Sequence, residues 1–288
     1  MNANIGITNI STFENTSNPQ MIYAKVTNLN TVNRCDAIVS FPLQVNRLPE
    51  PLINDGYVCY DQNNNQLIQS YTLDTQLNQN THTFEWYFNT TLIANEQNAS
   101  LEVSNPGDYF VIATNIQTGC ISEPFSATVT RSEPANFTTR VEYSFNDTVA
   151  IIVSATGLGN YSYQLNNEIA QSSPIFENVA PGTHQIRVYD LYGCNDTFAE
   201  VIVLNYTKFF TPNGDGYNDH WQIQGIYDQP DAKIYIYDRY GKLLKQLNPR
   251  EIGWDGTFNG SKLPSTDYWF TVTYMENGEQ KEFKSHLL

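Results

Sequence analysis

Tyr109–Val129 reads YFVIATNIQTGCISEPFSATV: an alternating apolar and polar strand, a turn rich in Asn, Thr and Gly, a cysteine, then a second alternating strand. The same order recurs at Tyr23–Val45 (YAKVTNLNTVNRC, then DAIVSFPLQV) and at His184–Val203 (HQIRVYDLYGC, then NDTFAEVIV). Period-two alternation suits a sheet with one buried face, and a repeated unit marks a repeated domain, so each copy predicts the last hairpin of a β-sandwich. Three domain ends follow. Residues 1–46 read as the C-terminal remnant of a truncated repeat, because about twenty residues ahead of the first hairpin are too few for the strands of a sandwich. The Pro-bearing segments NRLPEP and RSEPA suit short linkers. They delimit one sandwich over 47–132, a second over 133–205, and a module of another kind over 206–288.

Composition agrees with a nearly all-β chain. Its 288 residues include 19 Tyr and 15 Phe, with only 16% charged residues and no long segment of helical apolar periodicity. No window approaches the ~18 apolar residues of a membrane-spanning helix, and MNANIGITNI lacks the basic start and apolar run of a signal peptide. A net charge of −15 repels phosphate backbones and argues against nucleic acid as a partner. The charge is unevenly spread: residues 206–288 hold 9 Lys and Arg against 11 Asp and Glu, and residues 1–205 hold 6 against 19. The last segment is a compositionally separate unit.

Cysteine placement refines the fold class. Cys59 lies in the early strand GYVCYD, Cys120 in the repeat position, and Trp86 of TFEWYF between them. That order resembles the Cys, Trp, Cys arrangement of immunoglobulin-like sandwiches, and the resemblance implies a Cys59–Cys120 disulfide. Closing a loop of about 60 residues stabilises by about 4 kcal/mol on the chain-entropy model. The likeness is loose, since Cys120 follows the turn rather than sitting two residues after a corner Tyr. Cys35 and Cys194 are expected to be unpaired. The expected architecture is all-β: tandem immunoglobulin-like β-sandwich domains ending in a further β-sandwich.

In the last module, four stretches stand in order: FFTPNGDGYNDHW (Phe209–Trp221), IYIYDRYGKLLKQL (Ile234–Leu247), GWDGTFNGSKLPSTDYWF (Gly253–Phe270) and KEFKSH (Lys281–His286). They predict a hairpin over Ile234–Leu247, a turn-dense loop, a central strand YWFTVTYM (Tyr268–Met275) and a closing strand after the Asn277–Glu279 turn, in a sandwich of about seven strands. Together they resemble the gliding-motility-associated C-terminal domain family, the type B sorting domains of the type IX secretion system. The resemblance implies a non-enzymatic module of a secreted or cell-surface, outer-membrane-associated protein. Its partners would be the type IX translocon and a PorP/SprF-like outer-membrane protein. The matching positions are Phe210, Thr211, Pro212, Asn213, Gly214, Asp215, Gly216, Asn218, Asp219 and Trp221 in the first stretch, and Asp238, Tyr240 and Gly241 in the second. Trp254, Asp255, Gly256, Tyr268 and Trp269 match in the third. One departure is that this chain ends in Leu287 and Leu288, where family members usually carry terminal basic residues. The 133–205 sandwich also looks like the repeats that precede such domains in surface adhesins.

Each further site has two readings. Asn213, Asp215 and Asp219, with the Tyr217 carbonyl, are spaced like the start of a calcium loop, yet the bidentate Glu is absent and the same residues suit positive-φ turns with a capping Asp. Lys233, Arg239, Lys242, Lys245 and Arg250 form either a face for an acidic partner or a solvated strand edge. Tyr161, Tyr163 and Tyr192 could stack on a glycan or surface ligand, or pack as strand tyrosines. His82, His184, His220 and His286 fall in no metal or nucleophile motif, which leaves catalysis without a sequence basis.

Overall fold

The computed structural model describes residues 6–7, 9–30 and 35–288. Among them the chain is all-β, with a single 3-10 turn at Ile226–Asp228. Its strands are arranged in β-sheets that end in a four-stranded C-terminal sheet. By contacts the chain forms two compact units, one of residues up to Asp55, Thr72–Glu102 and Gly107–Thr128, the other of Gly56–Tyr71, Val103–Pro106 and Val129–Leu288.

In the first unit, the hairpin Gln20–Thr27 with Asp36–Leu43 pairs from Gln20↔Leu43 to Thr27↔Asp36; its expected turn, Thr31–Arg34, lies outside the described residues. Met21, Tyr23, Val26, Ile38, Val39 and Phe41 of this hairpin are all exposed. The strand His82–Phe88 pairs antiparallel with Gly107–Asn115, from His82↔Asn115 to Phe88↔Tyr109. Alternation decides which side chains turn inward: Phe84, Trp86, Val111 and Ala113 are buried while Glu85 and Asp108 face water. The Trp86 indole donates to the Asn98 carbonyl at 2.9 Å, so its one polar group is satisfied.

In the second unit, Gly56–Tyr60 pairs antiparallel with Leu67–Gln69 and parallel with the end of Phe125–Ser132, from Val129↔Gly56 to Ser132↔Cys59. Next comes a sandwich of two three-stranded sheets. One holds Asn136–Glu142, Ala150–Thr156 and Ile175–Phe176; the other holds Tyr161–Leu165, Gly182–Asp190 and Thr197–Val203. Its core includes Val141, Ile151, Val153, Leu165, Phe176, Ile186, Val188 and Val203. The C-terminal module follows at once, with the four-stranded order Leu243–Leu247, Lys233–Tyr237, Tyr268–Glu276, Glu279–Leu287.

Two sequence expectations are corrected here. Cys59 bonds to Cys194, with Cα atoms 5.5 Å apart, and not to Cys120. The parallel register explains it. Cys59 stands opposite Ser132, the last residue of its strand, where the chain passes into the next sandwich, whereas Cys120 precedes the strand's first residue, Phe125. Cys194, expected to be unpaired, lies in the turn after Asp190, whose carboxylate accepts hydrogen bonds from the Asn160 and Tyr192 amides at 2.8 and 3.2 Å and from the Ser132 hydroxyl. The Tyr57 and Tyr192 rings stack at 3.8 Å beside it. Cys120 is half-buried and outside any disulfide. The second correction is RSEPA: Ser132, Glu133 and Ala135 are buried, with Glu133 bound by Arg131 at 2.8 Å, so this segment is a packed joint and not an open linker.

The bridge spans 135 residues of sequence. Replacing Cys59 or Cys194 by Ser is expected to cost up to about 5 kcal/mol on the chain-entropy model, whereas Cys120→Ser leaves stability within about 1 kcal/mol. Denaturant unfolding and non-reducing peptide mapping check both; a Cys59–Cys120 linked peptide would overturn the assignment.

Candidate functional site

The C-terminal module is organised around two tryptophans. Trp221 and Trp254 exchange backbone hydrogen bonds, N–H to carbonyl at 2.9 and 2.8 Å, and both rings are fully buried. Gly253 makes that approach possible: at φ +125° it lies where a Cβ would come within 2.5 Å of the Trp221 carbonyl oxygen. Each indole N–H has a carbonyl partner, Thr207 for Trp221 and Thr257 for Trp254, at 2.8 and 2.9 Å. Further rings extend the stack. Phe210 lies 5.5 Å from Trp254, Tyr268 meets Trp254 edge-on at 5.1 Å, and Phe270 lies 4.8 Å from Trp221 and 4.9 Å from Tyr206. The Tyr268 hydroxyl donates to the Pro264 carbonyl at 2.6 Å.

Asp residues shape the loops between these anchors. In NGDGYND, Gly214, Gly216 and Asn218 all have positive φ, which turns the amides of Gly214 and Gly216 onto the Asp219 carboxylate at 2.6 and 2.7 Å. Those donors hold the Asp219 carboxyl below the usual carboxylate range. Asn213 and Asp215 each accept from the amide two residues on, at 3.0 and 2.8 Å, and the Asn213 amide nitrogen donates to Asp215 at 2.8 Å. The side-chain oxygens of these three residues thus act as turn caps in the folded loop. Among the described residues no cluster of three or more His, Cys, Asp or Glu is poised for a metal. Thr211 closes the loop through its amide to the Asn218 carbonyl at 2.8 Å, and Pro212 lies against Gly256.

The other motif positions follow the same division. Asp238 accepts from the Tyr240 and Lys242 amides at 2.8 and 2.9 Å around Gly241, and Asp255 accepts from the Thr257 amide and hydroxyl at 3.0 and 2.8 Å. Hydrogen bonding to Thr257 lowers the Asp255 carboxyl as well. Three aromatic motif or loop residues point outward: Tyr240 is 86% exposed, Tyr217 79% and Trp269 50%. Of the five basic residues, Lys242 covers the Phe258 ring at 4.5 Å, Arg250 the Tyr227 ring at 5.7 Å and Arg239 the Tyr240 ring at 5.8 Å. Lys233 and Lys245 are exposed on their strands.

Sequence reading missed Tyr206 and Phe270 as members of the stack. It also missed the chain end, where Leu287 is buried and Leu288 exchanges backbone hydrogen bonds with Lys208 and Phe210 at 2.8 and 3.0 Å. The alternation of YWFTVTYM was the available signal for Phe270; nothing local marks the pairing of Leu288.

Trp254→Ala is expected to destabilise the chain by about 3–5 kcal/mol, the usual cost of removing a buried aromatic, and denaturant unfolding measures it. Asp219 gives a pH test with a definite sign. Its carboxyl is depressed in the folded loop, so its contribution is present above its unfolded pKa and fades as pH falls through the lower folded value. The Gly214 and Gly216 amide proton shifts should titrate together in acid, and Asp219→Asn should abolish that step.

Residues 204–288 match the family model of the CHU_C type IX secretion signal domain, and residues 1–49 match that of the Flavobacterium inter-domain disulphide bond domain. No curated protein sequence matches. Among solved structures, the CD2-binding domain of CD58 is similar at 9% identity and TM-score 0.35, over 52% of this chain and 96% of that one. Sidekick-1 immunoglobulin domains 1–5 are similar at 14% identity and TM-score 0.31, over 95% and 67%. Dimeric latent PorU from Porphyromonas gingivalis is similar at 12% identity and TM-score 0.21, over 83% of this chain and 32% of that one. Four motifs in family order, folded onto one aromatic stack, lie within Leu204–Leu288, the segment that is similar to the type IX secretion signal domain family.

Proposed function

We propose that this chain is the non-enzymatic C-terminal region of an exported protein displayed at the outer membrane. In this reading the secretion signal domain is read by the type IX translocon and a PorP/SprF-like outer-membrane protein, and the immunoglobulin-like sandwiches are spacers between it and a passenger. The observation that carries the reading is the family match over 204–288, with its motif residues sorted into buried anchors and outward aromatics. Phe210, Trp221, Trp254 and Tyr268 are buried in the module's core, while Tyr217, Tyr240 and Trp269 are exposed where a partner can reach them. Tyr and Trp are the residue types that dominate binding energy at interfaces.

The alternative of a glycan- or surface-binding adhesin gains less support. Tyr161 donates its hydroxyl to the Glu133 carbonyl at 3.0 Å, and Tyr192 is stacked on Tyr57, so two of the three tyrosines considered for sugar stacking are engaged within the chain. The histidines are likewise dispersed: His82 contacts Thr81 and Asn115, His184 contacts Asn166 and the Ala180 carbonyl, and His286 lies beside Trp269.

A fluorescent passenger fused ahead of residues 1–288 is expected at the surface of a bacterium with type IX secretion, and the same fusion ending at Val203 is expected in the periplasm. Equal surface display by both would overturn the reading. Tyr240→Ala and Trp269→Ala should each weaken capture by the export machinery about tenfold, the effect of losing one aromatic hot spot, with an unchanged melting temperature.

A further inference from the structure

The core of the secretion signal domain contains a residue from outside the matched segment. Phe145 belongs to the loop between the strands Asn136–Glu142 and Ala150–Thr156 of the preceding sandwich, yet it is buried with Trp221, Trp254, Phe270 and Tyr274 of the signal domain. Its ring stacks on Phe283 at 4.1 Å with the planes 5° apart, meets Tyr274 edge-on at 5.4 Å and lies 6.3 Å from Tyr206. The loop backbone is bent to deliver it: Tyr143 and Phe145 have φ of +62° and +65°, a region that bulky L-residues rarely enter and that persists only where surrounding contacts hold it.

Those contacts are present on every side. The Phe145 amide donates to the Leu204 carbonyl at 3.1 Å, the Asn205 amide nitrogen to the Asn146 carbonyl at 3.0 Å, and the Ser144 hydroxyl to Glu276 at 2.5 Å; Lys208 pairs with Asp147 at 3.2 Å. Burial, with Glu276 adding to it, pushes the neighbouring Tyr274 hydroxyl up to about 12. The covalent junction has no slack either. Val203 is buried in the core of the sandwich and the next residue, Leu204, in the core of the signal domain. At a second contact, a Cβ on Gly225 would come within 2.3 Å of the Val203 carbonyl oxygen, and Thr183 bonds to Asp228.

We propose that the loop 143–147 is a component of the secretion signal domain donated by the preceding sandwich, with Phe145 plugging an aromatic slot formed by Tyr206, Tyr274 and Phe283. The last sandwich and the signal are then one rigid body, and the signal is presented on a fixed stalk and not on a flexible tether. That this body is what the export machinery meets rests on the reading above; the plug itself does not.

Hydrogen exchange on the purified full chain separates the two. Phe145→Ala should speed amide exchange in the hairpin Tyr268–Leu287 at least tenfold, although position 145 lies more than 120 residues away in sequence. Phe145→Leu, which keeps apolar bulk but loses ring stacking, should give a smaller increase in the same amides. Exchange confined to the loop 143–147, with the hairpin unchanged, would overturn the proposal. If Phe145→Ala does not fold, Phe145→Leu decides alone: a hairpin as protected as in the unaltered chain overturns the plug, and faster exchange there supports it. Because no export step is measured, failed export in the fusion experiment would leave this result standing.

Discussion

The backbone bridge between Trp221 and Trp254 is the constraint on which the C-terminal module depends. It joins two loop-rich segments that have little regular sheet of their own, and it does so with both indoles buried and both indole N–H groups satisfied. Buried polar groups are tolerated only when paired, and among the described residues no buried side-chain nitrogen or oxygen lacks a partner. Once the bridge is in place, Phe210, Tyr268, Phe270 and Tyr206 have a surface to pack on, and the four-stranded sheet gains the second layer that a sandwich needs.

The Gly-rich motifs serve that packing. NGDGYND, DRYG and WDG each use an Asp carboxylate to gather backbone N–H groups while a Gly or Asn takes positive φ. In each turn the carboxylate draws neighbouring N–H groups together. Beside these turns Tyr217, Tyr240 and Trp269 face solvent.

Further up the chain, the same economy of flexible segments recurs. The Cys59–Cys194 bond, the Tyr57–Tyr192 stack and the Asp190 carboxylate cluster around the passage at Ser132 and Glu133, and Val203 and Leu204 are buried in successive cores. At these two passages the chain is jointed by packing and covalent bonding.

Sequence alone determined the local elements. The three hairpins with their cysteines, the all-β class and the order of the signal motifs were legible because period-two alternation and turn residues act over a few neighbours, and those neighbours are adjacent in the sequence. Tertiary structure decided what meets what. Cys59 pairs with Cys194 because a parallel strand register, which no local pattern encodes, carries it to the far end of its sheet. RSEPA became a buried joint for the same reason. The cap hydrogen bonds of Asn213, Asp215 and Asp219 depend on the direction of each N–H, which the folded loop sets. Phe145 in YSFND has no local mark of its role, since the slot it fills is made from residues 206, 274 and 283, and only the folded chain brings them to it.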